Sequence, residues 1–301
     1  MTIQWIKLAV SALCLGALLW WTDAAGVFAR LRGADMAWVT LALVAITAAT
    51  FAMASRWKLT TDAFGLQIRF PTALREYYLA QLINTLVPGG VAGDVTRAVR
   101  ARHGADLTRA AQSVMAERLL GQIAILGLMF AGFAVALLVP GGPDWGALGW
   151  IIPSVLTGGL VTFCVLLRGH NATARFLRVT LHLMRRPAIT VHGIATTFCL
   201  ILGFYACARA TGVIIPAEGW ATLIPLVLCA MLIPLSVAGW GWREGAAAAL
   251  FPFIGAPADA GIASSITYGL VLFVAALPAA GLLITQNVFR NASSKRKPNI
   301  L

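Results

Sequence analysis

The feature that most constrains this chain is a series of long segments without a charged residue. Each segment has at least the ~20 residues that a helix needs to cross ~30 Å of hydrocarbon. They are residues 36–55, 119–143, 145–167, 187–208, 219–242 and 260–289. Backbone groups in lipid need hydrogen-bond partners inside the protein, and apolar stretches of this length form helices rather than barrel strands. The sequence therefore predicts an all-α, polytopic integral membrane protein.

The overall composition agrees with this class. Of the 301 residues, 59% are hydrophobic and 11% are charged, whereas an ordinary soluble domain is about one-quarter charged. A soluble protein with so little charge could not cover its surface with groups that water solvates. A protein surrounded by lipid has no such requirement.

The N-terminus supplies one more candidate span, from Ile3 to Thr22. A cleaved secretory signal is the alternative, because Val27-Phe28-Ala29 has the small residues of a weak cleavage site. We favour a retained helix, since multi-span membrane proteins commonly begin with one.

The formal net charge of +12 would also be compatible with nucleic-acid binding. No basic run is interleaved with aromatic residues in a soluble module, however, and Lys and Arg are enriched in the cytoplasmic loops of membrane proteins. The charge is therefore attributed to membrane topology, and no nucleic-acid partner is expected.

The positions of the positive charges predict the orientation. Most of the 23 lysines and arginines lie in 56–75, 97–109, 168–186 and 290–297. Placing these segments in the cytoplasm, with 168–186 as a loop, gives six full spans, cytoplasmic N- and C-termini and a basic cytoplasmic tail, 286–301. The six spans are 3–22, 36–54, 118–139, 147–167, 189–208 and 264–285.

This orientation requires two segments to enter and leave the membrane on the same side. Segment 71–102 would enter from the cytoplasm, and Pro88-Gly89-Gly90 interrupts any helix there. Segment 219–257 would enter from outside, because the uncharged residues after Arg243 are too few to span. The alternative makes 219–242 a full span and gives seven to eight crossings.

The two broken segments resemble each other. Residues 86–97 (LVPGGVAGDVTR) align without gaps on residues 232–243 (LIPLSVAGWGWR), with six of twelve positions identical. The same offset carries 118–139 onto 264–285, which runs in the opposite direction. The sequence thus predicts one transmembrane domain, 1–301, with inverted repeats over 36–139 and 182–285. Such repeats with broken helices are typical of transporters.

Six ionisable residues fall at predicted membrane depth, where a charge is costly unless it is paired or hydrated. They are Asp94, Arg97, Glu117, Arg118, Arg243 and Glu244. One interpretation is an internal set of ion pairs that locks the helices together. The other is a lipid-headgroup site, because guanidinium groups bind phosphate in a bidentate manner.

Residues that break the backbone accompany these charges, and we expect them to line the same site. They are Pro88, Gly89, Gly90 and Gly93 in the first half, and Pro234, Gly239 and Gly241 in the second. A helix that begins after such a break presents free N–H groups to an anion. Arg97 and Arg243 are expected to open on one polar cavity near the bilayer midplane.

No cofactor or metal is expected. The five cysteines (Cys14, Cys164, Cys199, Cys207 and Cys229) lie in apolar windows without a CxxC pair, and the four histidines (His103, His170, His182 and His192) lack zinc-ligand spacing.

Three motifs together resemble the lysylphosphatidylglycerol synthase transmembrane (flippase-like) family. They are PGGVAGDVTR at 88–97, ERLLG at 117–121 and PLSVAGWGWREG at 234–245, and they cover most of the chain in matching order. The resemblance implies a bacterial or archaeal cytoplasmic (inner) membrane protein. In bifunctional members the domain moves an aminoacylated phospholipid between leaflets and a soluble aminoacyl-transferase domain follows. We expect a stand-alone member without that activity.

The favoured function is therefore a lipid translocase. An enzyme acting on a lipid-linked substrate is the alternative, with Asp94, Glu117 or Glu244 as general base, although no nucleophile–base pair is visible. A further alternative is an accessory subunit of a lipid-modifying enzyme. Membrane lipids are the expected partners in each case.

Overall fold

The computed structural model describes residues 20–87, 90–102, 106–138, 145–232 and 238–281, together with 9, 13 and 16–18. The described chain is helical, without strands. Its helices in chain order are α1 (Ala24–Arg32), α2 (Met36–Ala63), α3 (Phe70–Leu86), α4 (Ala92–Ala101), α5 (Leu107–Leu138), α6 (Leu148–Arg168), α7 (Ala172–Leu183), α8 (Pro187–Ala210), α9 (Ala217–Ala221), α10 (Leu223–Ala230), α11 (Trp242–Leu250) and α12 (Ala258–Ala276), and a 3₁₀ turn (Phe251–Ile254) precedes α12.

Five helices in the described part of the chain are long and apolar enough to cross a membrane. They are α2, α5, α6, α8 and α12 with its continuation to Gly281. Each contains one of the predicted full spans or most of it. The sixth predicted span, 3–22, lies largely outside the described residues. The protein is thus an all-α, multi-pass membrane protein.

The helices at the centre are α2 and α8, which pack along each other. Small residues permit this close packing of α2 and α8. Gly203 of α8 is an example, because a Cβ there would lie only 2.7 Å from Cδ1 of Ile46 on α2. The main apolar core surrounds this pair, with Phe204 and Tyr268 in edge-to-face contact at 5.4 Å between ring centroids. The 3₁₀ turn closes this core, since Phe251 is fully buried.

The first predicted broken segment forms a helical hairpin from α3 and α4. The start and the end of this hairpin lie on the same side. Arg100 near the end of α4 pairs with Glu76 in the first half of α3, at 2.6 Å between Nε and Oε2. Near the tip, the Gly93 N–H donates to Oδ1 of Asn84 at 2.7 Å. With 17 and 10 residues, the two helices do not resemble a pair of full spans.

The second predicted broken segment is also made of short helices. α9 and α10 lead into a turn, and α11 follows it and packs against α10. A Cβ at Gly239 would lie 2.8 Å from Cγ of Met231, so the chain after the break passes close to the end of α10.

Three features differ from the sequence prediction. α2 continues to Ala63, beyond the predicted end at 54. The basic segment 168–186 is not a loop, because it contains amphipathic helix α7, whose Ala174, Leu177, Thr180 and Leu183 are buried. Finally, α1 lies before the second span and is tied to α12 by Arg30 and Asp259, 2.8 Å apart.

Candidate functional site

The first cluster of charges is built around Arg97, whose side chain is fully buried on α4. Its Nη2 lies 3.1 Å from Oδ1 of Asp94, one turn earlier, and 3.2 Å from Oε2 of Glu117 on α5. The guanidinium carbon is 4.5 Å from the ring centroids of both Trp57 and Tyr77. Ion pairs and cation–π contacts therefore fix this arginine from three helices.

Glu117 connects Arg97 to a second buried arginine, Arg56 of α2. Nη2 of Arg56 lies 2.6 Å from Oε1 of Glu117, and both side chains are almost completely buried. The Tyr77 hydroxyl also donates to Oε1, at 3.3 Å. The Glu117 carboxylate thus forms ion pairs with two guanidinium groups.

Arg118 extends the cluster to the surface. Its Nη2 lies 2.8 Å from Oδ2 of Asp94, and its side chain is 46% exposed. We call Arg56, Asp94, Arg97, Glu117 and Arg118 the charge cluster. It contains three guanidinium groups and two carboxylates, so it carries one positive charge in excess.

The two buried arginines of the charge cluster also have unused donors. Among the described residues, Nε and Nη1 of Arg56 and Nε and Nη1 of Arg97 are buried without a hydrogen-bond partner. Leaving a buried donor unsatisfied costs about 1–3 kcal/mol, and more when the group is charged. The excess charge and the free N–H groups both favour an anionic acceptor at this place.

The hairpin of α3 and α4 positions Asp94 and Arg97. Gly90 has a φ of 65° in the turn between the helices, which is unfavourable for residues with a side chain. A Cβ at Gly93 would collide with the backbone of Ala80. Gly90 and Gly93 therefore serve the tight hairpin that brings α4 against α5.

The second set of charges is a compact pair, Arg243 and Glu244, both fully buried at the start of α11. Nη2 of Arg243 lies 2.6 Å from Oε1 of Glu244, and its Nε donates to Oγ of Ser265 at 2.8 Å. Oε2 of Glu244 accepts the Gly241 N–H at 2.7 Å. The pair is electrically neutral and its carboxylate caps the helix.

Aromatic rings hold Arg243 as they hold Arg97. Its guanidinium carbon is 5.2 Å from the ring centroid of Trp240 and 5.6 Å from that of Tyr268. The turn before it contains Gly239 and Gly241, with φ of 82° and 91°. Gly269 of α12 makes room for the guanidinium, because a Cβ there would collide with Nη2.

The six ionisable residues predicted from sequence thus fall into two groups. Asp94, Arg97, Glu117 and Arg118 lie together, and Arg243 lies with Glu244. Within the described ranges the two groups share no ion pair. Pro88, Gly89 and Pro234 lie outside the described residues, and the single cavity expected between the two arginines stays a prediction.

Sequence reasoning missed Arg56, Trp57 and Tyr77. Arg56 was assigned to the cytoplasmic side because the span before it was expected to end at 54. The signal against that assignment is local, since residues 55–63 contain no glycine or proline that would end the helix. Continuing α2 by one turn turns Arg56 inward, towards Glu117.

The fold and these buried charges define a multi-pass helical membrane protein with guanidinium groups buried between its helices. The chain belongs to the family described as the lysylphosphatidylglycerol synthase TM region, whose family model matches residues 4–280. A comparison with curated proteins finds no match. Membership in this family supports a function related to membrane lipids.

Proposed function

We propose that this protein moves a phospholipid between the leaflets of the membrane, and that the charge cluster binds the lipid phosphate during transfer. The observation that carries the proposal is the composition of the cluster. Three arginines share two carboxylates, and four of their buried nitrogen donors have no hydrogen-bond partner in the described part of the chain. A phosphate oxygen would accept from such donors and balance the excess charge.

The Arg243–Glu244 pair gives an internal comparison for this argument. A set of charges that only locks helices together should be neutral and hydrogen-bonded, because unpaired charges destabilise a low-dielectric interior. Arg243 and Glu244 meet that description, with Ser265 and Gly241 as further partners. The charge cluster does not, which favours a ligand-binding role for it.

The order of the three arginines also suits a transfer path. Arg118 is half exposed and shares Asp94 with Arg97, which in turn shares Glu117 with Arg56. A headgroup could thus exchange one guanidinium for the next without entering bare hydrocarbon. Each step would cost little, since the ionic partners stay within one network.

Reconstitution into proteoliposomes tests the proposal. The wild-type protein should equilibrate a fluorescent phospholipid between leaflets, measured as the fraction that an external reductant can bleach. Arg97→Gln should slow this at least tenfold, and Arg97→Lys should restore part of the rate, because lysine offers a point charge without the planar fork. Arg102→Gln, at the exposed end of the same helix and outside the charge cluster, is the matched control.

Two results would contradict the proposal. Formation of a chemically new lipid would indicate an enzyme. Wild-type protein that neither moves nor modifies lipid, in vesicles where its folding is verified, would favour an accessory subunit.

A further inference from the structure

A groove of about 420 Å³ lies beside the charge cluster, between α5, α8 and the end of α9. Leu120, Ala124 and Leu128 of α5 form one wall, and Gly193, Thr197 and Ile201 of α8 form the other. Among the described residues that line it, Arg56 alone is charged. The volume falls within the range of ordinary ligand pockets.

The groove opens sideways between two membrane-spanning helices. Ile194 and Phe198 line it on α8 and are 64% and 55% exposed. Both α5 and α8 are long and apolar enough to cross the membrane, so the opening lies where acyl chains surround the protein. Its lining residues on α8 extend from Ile189 to Ile201, a length of about 18 Å along a helix, similar to the ~15 Å of one leaflet's hydrocarbon.

The guanidinium of Arg56 is aimed at this groove. The side chain is 3% exposed, and Nη1 and Nε have no hydrogen-bond partner within the ranges that the structure describes. Gly193 of the groove wall lies next to Nη1, because a Cβ there would be in van der Waals contact with it at 3.7 Å, and at this position no side chain stands between Nη1 and the groove. An apolar channel that ends at a buried cation with free donors matches an amphiphile that carries an anionic group.

We infer that this groove holds one phospholipid of the surrounding bilayer, with an acyl chain along α5 and α8 and its phosphate against Nη1 of Arg56. The inference rests on the proposed function and gives it a binding site. A phosphate at Arg56 is directly beside Glu117 and therefore next to Arg97. The groove is thus the place from which a headgroup joins the charge cluster.

Photo-crosslinking tests this assignment. Wild-type protein in vesicles of phosphatidylethanolamine and phosphatidylglycerol receives phosphatidylglycerol with a diazirine on its acyl chain. Mass spectrometry should locate adducts within 120–128 and 189–201. Ala124→Phe should remove at least four-fifths of these adducts, because the ring fills the groove. Ala131→Phe, an exposed alanine of the same helix outside the groove lining, should leave them unchanged.

Additional variants and competitors distinguish a failure of the groove assignment from a failure of the translocase function. Arg56→Gln should weaken labelling at least fivefold. Excess unlabelled phosphatidylglycerol should compete and excess diacylglycerol should not, since the site is assigned to a lipid with an anionic phosphate. Adducts spread evenly over all lipid-facing helices would overturn the inference, as would equal labelling of the two phenylalanine variants. Groove labelling without lipid movement in proteoliposomes would instead refute the translocase function and leave the site standing.

Discussion

Glu117 shows at the scale of a single residue how much depends on one buried carboxylate. It forms ion pairs with both Arg56 and Arg97, through contacts of 2.6 and 3.2 Å. Glu117→Gln should destabilise the protein by roughly 3–5 kcal/mol, because it leaves the buried Arg56 without a counter-ion among the described residues. The measurement is thermal unfolding in detergent micelles.

Asp62→Asn provides the matched control for that measurement. Asp62 pairs with Lys58 one turn away on α2, and both side chains are about one-third exposed. Such surface pairs contribute about 0–1 kcal/mol. Equal shifts for Glu117→Gln and Asp62→Asn would show that the charge cluster is hydrated and not buried as described.

The two central arginines should respond differently to the same substitution. Arg97→Gln leaves Glu117 paired with Arg56, whereas Arg243→Gln leaves the buried Glu244 without a cation among the described residues. We expect Arg243→Gln to lower the amount of folded protein in the membrane severalfold, and Arg97→Gln to lower mainly lipid movement. Fluorescence-detected size-exclusion chromatography measures the amount of folded protein. Normal accumulation of Arg243→Gln would assign that pair a role other than holding the fold.

At the scale of elements, the hairpin of α3 and α4 depends on close backbone contact. Gly93→Ala should cost about 1–3 kcal/mol, the range found for overpacked sites, since its Cβ would collide with Ala80. Gly127→Ala in α5, where a Cβ would have open space, should be neutral or slightly stabilising. Thermal unfolding compares the two, and a tolerated Gly93→Ala would mean that the hairpin is looser than described.

The helices themselves were largely predictable, and their ends were not. Uncharged windows located the five described spans, because lipid imposes a minimum apolar length. The extension of α2 past Arg56 escaped prediction, since a charge is assigned to water by default and Glu117 is 61 residues away. For the same reason α7 was taken for a loop, although its buried residues recur at helical spacing.

The candidate site was predictable in its components but not in its grouping. Charges within uncharged surroundings identified Asp94, Arg97, Glu117 and Arg118, which lie together, and Arg243 with Glu244. The separation of the two sets could not be read from the motifs, because it depends on how α2, α5 and α12 pack. Trp57 and Tyr77 likewise resembled ordinary core or interfacial residues.

At the scale of the whole molecule, the distribution of charge predicts the orientation of the protein in the membrane. In a variant whose native cysteines are replaced, a cysteine at the exposed Thr173 of α7 should be shielded from an impermeant thiol reagent in intact cells. One at the exposed Ala217, at the start of α9, should react. The expectation follows from the basic residues around α7, and labelling of Thr173 but not Ala217 would reverse the orientation.

The order of helices also parallels the predicted repeat. α2, the α3–α4 hairpin and α5 occupy the first half, and α8, the α9–α11 segment and α12 follow in the second. Arg97 and Arg243 each lie between two aromatic rings beside a buried glutamate. These parallels support a duplicated unit, and the inverted direction of its second copy stays a prediction.

Helix α6 packs little against the rest of the protein, since Gly149 is its one buried residue. Its contribution is to the number of membrane crossings, because an even or odd number decides which side of the membrane the next helix starts from. A unit of two crossings plus a hairpin that returns to its own side begins and ends in the same compartment. Joined directly, two such units would face the same way. In the predicted inverted repeat, a single additional crossing between them would turn the second unit upside down. A helix with this task needs length and hydrophobicity but no particular neighbours, so its sequence is free to drift wherever it meets only lipid.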